Sequence, residues 1–316
     1  MQPPSTTTPE SFEHIVTRDE AKQTLAAVVR GQISLPWERV RELIRRGRVA
    51  VNDAPVLDPA LRLPEGSKVT LGKPARRLDR PTNDLIDSQI VHCDEHLIVV
   101  NKPSGISTVP FDEKERGTLV DRVGHWLHHR RGVPTSAPLF VVHRIDKETS
   151  GLVVFGRTWL AKRHLAGLFR AHTIERRYLA LVHGWMTTER QTMDSVLVEN
   201  RGDGLRGSAR GGKVNGQRAI THVTMRERLV QPATLLECSL ETGRTHQIRI
   251  HLAEAGHPLL GERVYNRHFN VQIEAPRLML HAFLLGFSHP SRPEETLRFE
   301  CEPPEDFATR LTQLRD

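Results

Sequence analysis

The 316-residue chain contains little cysteine and few aromatic residues. Its three cysteines, Cys93, Cys238 and Cys301, are far apart and odd in number, so they match neither a zinc-binding spacing nor a disulfide framework. They indicate reduced thiols and therefore a cytoplasmic protein. Only two tyrosines occur, Tyr178 and Tyr265, so the position of each is informative.

Long apolar runs and nucleotide-binding loops are also missing from the sequence. No stretch of about 18 or more apolar residues occurs, which argues against a transmembrane helix. Residues 1–8 have neither a basic start nor an apolar run, so they do not predict a secretory signal. No GxGxxG or Walker A segment is found, and a nucleotide cofactor therefore has no support.

The composition is that of an ordinary globular protein with an excess of positive charge. Hydrophobic residues make up 38% and charged residues 26% of the chain. A chain of this length indicates about two domains. Lys and Arg number 45 against 38 Asp and Glu, a formal charge of +7. This excess favours a polyanionic partner, nucleic acid before membrane.

The first part of the chain divides into a tail, a small unit and a linker. Residues 1–12 are predicted to be a flexible tail, 13–72 a small domain and 73–88 a linker. Within the small domain, Ser34 followed by Pro36 and Glu38 predicts a helix start. Four residues form its expected apolar face, Trp37, Val40, Leu43 and Ile44, and Gly47 its expected end.

The small domain resembles the S4 RNA-binding module. The resemblance rests on the helix, its basic turn and the segments GRVAVND (47–53) and LPEGSKVTL (63–71), and it lacks the usual Arg-Leu-Asp opening. It implies an α/β fold and RNA contacts on the basic side, because a one-sided arginine face suits phosphate. The alternative is an accessory domain with a solvated charged helix face. The candidate RNA contacts are Arg39, Arg45, Arg46 and Arg48.

Residues 89–316 are predicted to form one α+β domain. Short apolar runs, typical of strands, occur at 97–100, 139–142, 152–155, 178–182 and 234–240. Helical spacing occurs around Leu165 and Leu252, without strict βαβ alternation, which favours a mixed, largely antiparallel sheet. The basic, glycine-rich segment 199–217 is either an RNA-contacting loop or a solvated insertion.

The most informative segment is HRIDKETSGLV, residues 143–153. A polar turn joins two apolar strands there, and catalytic groups are often found on such loops. Arg144 and Lys147 flank Asp146, and opposite charge nearby favours an ionised carboxylate that can act as a nucleophile. Taken alone, the segment also fits a turn aspartate that bonds its own backbone.

This segment resembles the HRxDxxTSG motif of RluA-type pseudouridine synthases. The resemblance continues in order through NKPSG (101–105), RYLALV (177–182), AIT (219–221) and GRTHQIRIH (243–251), and on to the C-terminal PPEDF (303–307). It spans almost the whole second domain. Glu262 stands where the family usually has Asp.

The resemblance implies a pseudouridine synthase fold and an enzyme that isomerises uridine within RNA without metal, nucleotide or redox cofactor. Asp146 matches the family nucleophile, which attacks C6 or C1′ or acts through a glycal. Arg244 matches the arginine that pairs with it, with Arg249 as the alternative partner. Tyr178 matches the active-site tyrosine, although without the family match a strand aromatic packed in the core is the favoured interpretation. Further candidate RNA contacts are Lys102, Arg144, Thr245, His246, Gln247 and Arg249.

Ribosomal RNA is the expected substrate, with transfer RNA as the alternative, and a monomer is expected. Two other functions stay open at this point. A non-catalytic RNA-binding or assembly factor would explain the charge and the S4-like unit. A glycosidic hydrolase would need a second carboxylate, for which Glu148 is the nearest candidate.

Overall fold

The computed structural model describes residues 11–21, 23–33, 35–45, 48–52, 54–56, 59–72, 85–112, 115–209, 215–266, 269 and 273–316. The chain divides into two compact units, Met1–Thr82 and Asn83–Asp316. Most of the predicted tail and linker, together with Ser34, Arg46 and Gly47, lies outside the described residues.

The first unit is a small antiparallel sheet with two helices. Its strands lie in the order β1-β4-β2-β3, and both helices contribute to one apolar core with the sheet. Thr24 caps the first helix by accepting a hydrogen bond from the Ala27 N–H. The elements are β1 (Phe12–Ile15), α1 (Leu25–Gln32), α2 (Trp37–Arg45), β2 (Val49–Val51), β3 (Ala54–Pro55) and β4 (Lys68–Leu71).

Two expectations for this unit are wrong in detail. Phe12, predicted to end the tail, is the first residue of β1 and pairs with Leu71. Trp37 does not share the buried face of α2 with Val40 and Ile44, because 40% of it is exposed. Placed at the first turn of the helix, its ring lies beneath the Arg30 guanidinium.

The second unit is built on a sheet in which the described residues form 11 strands. The main path runs β11-β10-β12-β13-β9-β14-β8-β6-β5, with β15 paired to β14 and β7 to β8. The strands are β5 (Ile90–Cys93), β6 (Leu97–Lys102), β7 (Phe140–Val141), β8 (Ser150–Gly156), β9 (Glu175–His183), β10 (Arg190–Val198), β11 (Gly207–Ser208), β12 (Gln217–Arg228), β13 (Ala233–Leu240), β14 (Leu280–His289) and β15 (Arg292–Glu300).

Four helices accompany this sheet in the described chain. They are α3 (Leu119–Arg131), α4 (Trp159–Ala171), α5 (Gln247–Glu254) and α6 (Glu305–Arg315). The predicted α+β fold with a mixed, largely antiparallel sheet is confirmed. The linker was predicted to run to residue 88, but Leu85 is already buried in the core and a short 3₁₀ turn follows at Asp87–Gln89.

In the middle of the sheet, the strand that follows the Asp146 loop lies beside β14. Strand β14 pairs antiparallel with β9 and parallel with β8, and Gly151 lies opposite Ala282 in the parallel pair. Gly151 has a φ of 118°, and a Cβ there would lie 2.2 Å from the Ala282 carbonyl oxygen. Glycine is therefore required where the loop of Asp146 enters the sheet.

No helix in the described part of the chain is long and apolar enough to cross a membrane.

Candidate active site

The loop that carries Asp146 is braced by the segment at the end of β6. Lys102 is fully buried, and its Nζ donates to the carbonyl oxygens of Pro103, Ile106 and Lys147. The Gly105 N–H also donates to Lys147 O, at 2.9 Å. Burial lowers the pKa of Lys102 to about 7, while the charges of Asp146 and Glu148 oppose that shift. The NKPSG segment (101–105) and the HRIDKETSGLV segment (143–153) thus form one rigid support for Asp146.

Two further bonds complete this brace. The Thr108 hydroxyl donates to the carbonyl oxygen of Ile145 at 2.8 Å, next to Asp146. The Ser104 hydroxyl donates to Glu148 O at 2.7 Å. The backbone on both sides of the Asp146 carboxylate is therefore fixed, which leaves its side chain as the part that faces the cavity.

The guanidinium that pairs with Asp146 belongs to Arg249. Arg249 Nη1 lies 3.5 Å from Asp146 Oδ2, and its Nε and Nη2 donate to the two Glu262 oxygens at 2.7 and 2.8 Å. The Glu262 side chain is fully buried, and burial raises its pKa while Arg249 lowers it below its usual value. A bidentate fork of this kind fixes the arginine rotamer, so Glu262 orients Arg249 toward Asp146.

The prediction that Arg244 pairs with Asp146 is wrong, and the alternative, Arg249, is correct. Arg244 precedes α5, and its Nε donates to the backbone oxygen of Arg218 at 3.1 Å. Its backbone N–H donates to the side chain of Gln247. Arg249 lies one turn further on, inside the helix, where its side chain points toward the sheet. Arg244 still lines the cavity beside Asp146.

Tyr178 is both a core residue and a wall of the cavity. It lies on β9 between Cys238 and Ala282 and is 8% exposed. Burial raises the pKa of its phenol, and the charge of Arg176 opposes that shift. Its hydroxyl has no hydrogen-bond partner within the described ranges, so it is available to a bound molecule.

These side chains enclose a cavity of about 300 Å³. Asp146 is the one carboxylate among its described lining residues, which include four arginines, Arg144, Arg176, Arg244 and Arg249. Glu148, the second carboxylate that a hydrolase would need, is exposed and does not line the cavity. The wall also contains apolar and aromatic side chains, among them Phe169, Leu240 and Leu280. The arrangement suits a flat polar ring attached to a polyanion.

The structure separates the predicted RNA contacts of this unit into two groups. Arg144 and Thr245 are exposed at the cavity, and His246 is partly exposed, with Nε2 3.9 Å from Asp146 Oδ2. For Lys102 and Gln247 the prediction is wrong, because both are buried. Gln247 bonds inward, to Thr221 and Thr242 among others. Arg249 is engaged by Asp146 and Glu262 rather than turned outward.

In the first unit, Arg39 is exposed and pairs with Glu42 on the same helix. Arg48 donates from Nε to the Gly72 carbonyl oxygen at 2.9 Å, which joins β2 to the end of β4. The side chain of Arg45 and all of Arg46 lie outside the described residues.

Three residues of the site were not predicted from the sequence. Glu262, which stands where the family usually has Asp, holds Arg249. Tyr265 donates or accepts at His246 Nδ1, 2.8 Å away, and its ring lies 5.4 Å from the Arg249 guanidinium. Arg176 lines the cavity from β9, two residues before Tyr178. The presence of only two tyrosines was the one available signal for Tyr265.

Among the described residues, no group of three or more His, Cys, Asp or Glu side chains is arranged to hold a metal ion.

Comparison with known proteins identifies the class to which this fold and site belong. A family model described as RNA pseudouridylate synthase matches residues 96–254. The uncharacterized RNA pseudouridine synthase YlyB of Bacillus subtilis is 34% identical over 281 residues, which cover 88% of this chain and 90% of that protein. A ribosomal large subunit pseudouridine synthase D of Zymomonas mobilis is 38% identical over 288 residues, 89% of this chain and 90% of that protein.

Among solved structures, human RNA Pseudouridylate Synthase Domain Containing 4 is similar with a TM-score of 0.59 and 25% identity, over 72% of this chain and 93% of that one. The chain therefore belongs to the RNA pseudouridine synthase family, as its RluA-type motifs indicated, and is an enzyme of that class. The predicted pseudouridine synthase fold is confirmed.

Proposed function

We propose that this chain isomerises specific uridines of ribosomal RNA to pseudouridine, with Asp146 as the nucleophile and without a cofactor. The observation that carries the proposal is the single carboxylate in a cavity whose other charged lining residues, among those described, are arginines. The substrate follows from the relatives, because several of them are named ribosomal large subunit pseudouridine synthase D.

The reaction exchanges one bond of the base for another. The N1–C1′ bond of uridine breaks, the base turns within the cavity, and a C5–C1′ bond forms. The C5 proton is lost and N1 takes up a proton, so the product is an isomer of the substrate. Asp146 splits this change into two easier steps, by attack at C6 or C1′ or by way of a glycal.

The side chains around Asp146 have distinct roles in this scheme. Arg249 holds the carboxylate in one orientation and supplies its counter-charge. Tyr178 offers a ring on which the uracil stacks. Because burial raises the pKa of its phenol, the hydroxyl stays protonated at neutral pH and acts as a hydrogen-bond donor rather than a phenolate base.

The target uridine must leave its stack before it reaches Asp146, which costs a few kcal/mol. Contacts between phosphates and the exposed residues Arg144 and Thr245, together with the half-buried Arg244, offset this cost at the cavity. The S4-like first unit adds RNA contacts through the exposed face that includes Arg39. A monomer in the cytoplasm suits this role, because one cavity serves one uridine at a time.

The test is a map of pseudouridine across cellular RNA in cells with and without the gene. We expect one or more ribosomal positions to lose pseudouridine without the gene, to regain it with the unaltered protein and to stay unmodified with Asp146→Ala. Glu148→Gln is the matched control, because it removes a neighbouring carboxylate that does not line the cavity. A full map restored by Asp146→Ala contradicts the nucleophile, and loss confined to transfer RNA contradicts the substrate.

A further inference from the structure

Arg176 is a buried cation that the scheme above does not use. It lies on β9, is 8% exposed and forms no ion pair with a carboxylate in the described part of the chain. Its neighbour Glu175 pairs instead with Arg177 and Arg298. Burying a charge without a counter-charge destabilises the folded protein. We therefore expect the substrate to supply a negatively charged partner for Arg176.

The guanidinium of Arg176 is held by backbone oxygens and only in part. Its Nη2 donates to Glu241 O at 2.9 Å and lies 3.4 Å from Leu240 O. Its Nε is buried with no hydrogen-bond partner, and Nη1 also has none among the described residues. Two of its nitrogens therefore retain unused donors beside the cavity that Asp146 and Tyr178 line.

The surroundings keep this group in one place. Its Cζ lies 5.5 Å from the centroid of the Phe169 ring, a cation–π contact. A Cβ on Gly243 would lie 2.7 Å from Nη1, so glycine at 243 leaves the room that the guanidinium occupies. Burial and the charge of Arg176 together lower the pKa of His143 to about 3, and the same charge opposes the raised pKa of Tyr178. The cation therefore acts electrostatically on the inner part of the cavity.

The reaction places negative charge in that part of the cavity. As the N1–C1′ bond breaks, its electron pair stays with the base, and the charge spreads over N1 and the ring oxygens O2 and O4. Attack at C6 also pushes electrons onto the ring oxygens. Preorganised donors aimed at developing charge in a water-poor site are among the largest contributions to catalysis. RNA phosphates, by contrast, meet the exposed arginines at the mouth, because the backbone stays outside the cavity.

We propose that Arg176 is a further catalytic residue, which donates hydrogen bonds to an oxygen of the uracil ring and stabilises its negative charge while the base is detached. This inference rests on the proposed function, since it assigns a role within that reaction. In this scheme Asp146 acts on the nucleoside, and Arg176 acts on the departing base.

The experiment compares two substrates that differ in the stability of the base anion. Single-turnover cleavage of the N-glycosidic bond is followed with RNA that carries uridine or 5-fluorouridine at the target, by digestion and mass-resolved chromatography of nucleosides. Fluorine at C5 withdraws electrons and stabilises the ring anion, so the fluorinated base depends less on Arg176. For Arg176→Gln we expect a loss of about 100-fold with uridine and about 10-fold or less with 5-fluorouridine.

Two further variants are measured in the same way. Arg177→Gln, a change at the next residue, should alter neither rate by more than about twofold, because that side chain pairs with Glu175 and Glu237 outside the cavity. Gly243→Ala displaces the guanidinium without removing it, and the same unequal loss is expected there in smaller measure. It provides the measurement if Arg176→Gln does not fold.

Equal losses with both substrates overturn the role of Arg176, because a residue that only supports the fold or binds phosphate affects both alike. If the unaltered protein does not isomerise uridine in any ribosomal RNA, the proposed function itself fails. Those two outcomes are distinct, since the first requires an active unaltered enzyme.

Discussion

At the scale of single residues, Asp146 is controlled from two directions. The backbone on both sides is fixed by donors from Lys102, Ser104 and Thr108, while its carboxylate meets Arg249. Arg249 in turn is held by Glu262, whose side chain is fully buried. The orientation of the Asp146 carboxylate therefore depends on Glu262, a residue 116 positions further along the chain that does not touch Asp146 in the described contacts.

Glu262→Gln tests this dependence. The change keeps the shape but removes the negative charge, so Arg249 loses its bidentate partner and keeps only the longer contact with Asp146. Breaking such a pair costs about 3–5 kcal/mol, and we expect a loss of stability of that order in urea unfolding. The rate of isomerisation should fall about 10-fold or more, because a free Arg249 no longer holds the Asp146 carboxylate in one orientation.

The matched control for this substitution is Glu295→Gln. Glu295 pairs with Arg292 on the surface, three residues away, where an ion pair contributes about 1 kcal/mol or less. Stability and rate should therefore stay close to those of the unaltered protein. If Glu262→Gln behaves like Glu295→Gln, the chain from Glu262 through Arg249 to Asp146 does not operate.

Sequence reasoning expected Asp146 and Tyr178 in one site, and both line the cavity, but it preferred Arg244 to Arg249 as the partner of Asp146. Both arginines lie in the same short motif, and the choice depends on where the helix begins. Because α5 starts at Gln247, Arg249 lies within its first turn and points inward, whereas Arg244 lies before it. Glu262 and Arg176 were missed for a related reason, since their roles arise only when distant segments meet around the cavity.

At the scale of helices and strands, the local sequence pattern predicted the strands that are buried and missed a strand that is largely exposed. The apolar runs at 97–100, 152–155 and 234–240 lie within β6, β8 and β13. Strand β10 has five exposed residues among nine, so no apolar run marks it. Helix α3 could have been found, because Leu119, Val123, Trp126 and Leu127 have helical spacing and are buried.

Strand order was beyond the reach of any local pattern. Strand β14 lies beside both β8 and β9, although about 100 residues separate β9 from β14 along the chain. Local periodicity describes which face a strand buries and carries no information about its partner. The parallel contact between β14 and β8 is the consequence that matters for the site, because it places Gly151 against Ala282.

Gly151→Ala is expected to disrupt this contact. The added Cβ would lie 2.2 Å from a backbone oxygen, and the φ of 118° is rarely adopted by other residues, so the strands must separate. We expect a loss of about 3 kcal/mol or more, or failure to fold, measured by chemical denaturation. Gly167→Ala is the control: it lies within α4 with no heavy atom within 4 Å of the new Cβ.

Helix propensity predicts that Gly167→Ala gains up to about 1 kcal/mol. The two alanine variants should therefore differ in sign as well as in size. A Gly151→Ala protein that unfolds at the same denaturant concentration as the unaltered one would show that the close approach of β8 and β14 can relax without cost.

At the scale of the whole molecule, positive charge is distributed between ion pairs and free surface. Many arginines are engaged by carboxylates, such as Arg298 by Glu175 and Glu300. Arg144, in contrast, is exposed at the cavity and forms no ion pair within the described ranges. The net charge of +7 is thus less informative about RNA binding than the position of the unpaired arginines.

The salt dependence of RNA binding distinguishes unpaired arginines that contact phosphate from arginines that are paired within the protein. Each arginine that neutralises a phosphate releases counterions, so the logarithm of the binding constant falls with the logarithm of salt concentration by about 0.7 per contact on single-stranded RNA. Arg144→Gln should lower that slope by about 0.7, whereas Arg298→Gln, whose charge is already paired within the protein, should leave it unchanged. Equal slopes for Arg144→Gln and the unaltered protein would contradict phosphate contact at the mouth of the cavity, because a removed contact must release fewer ions.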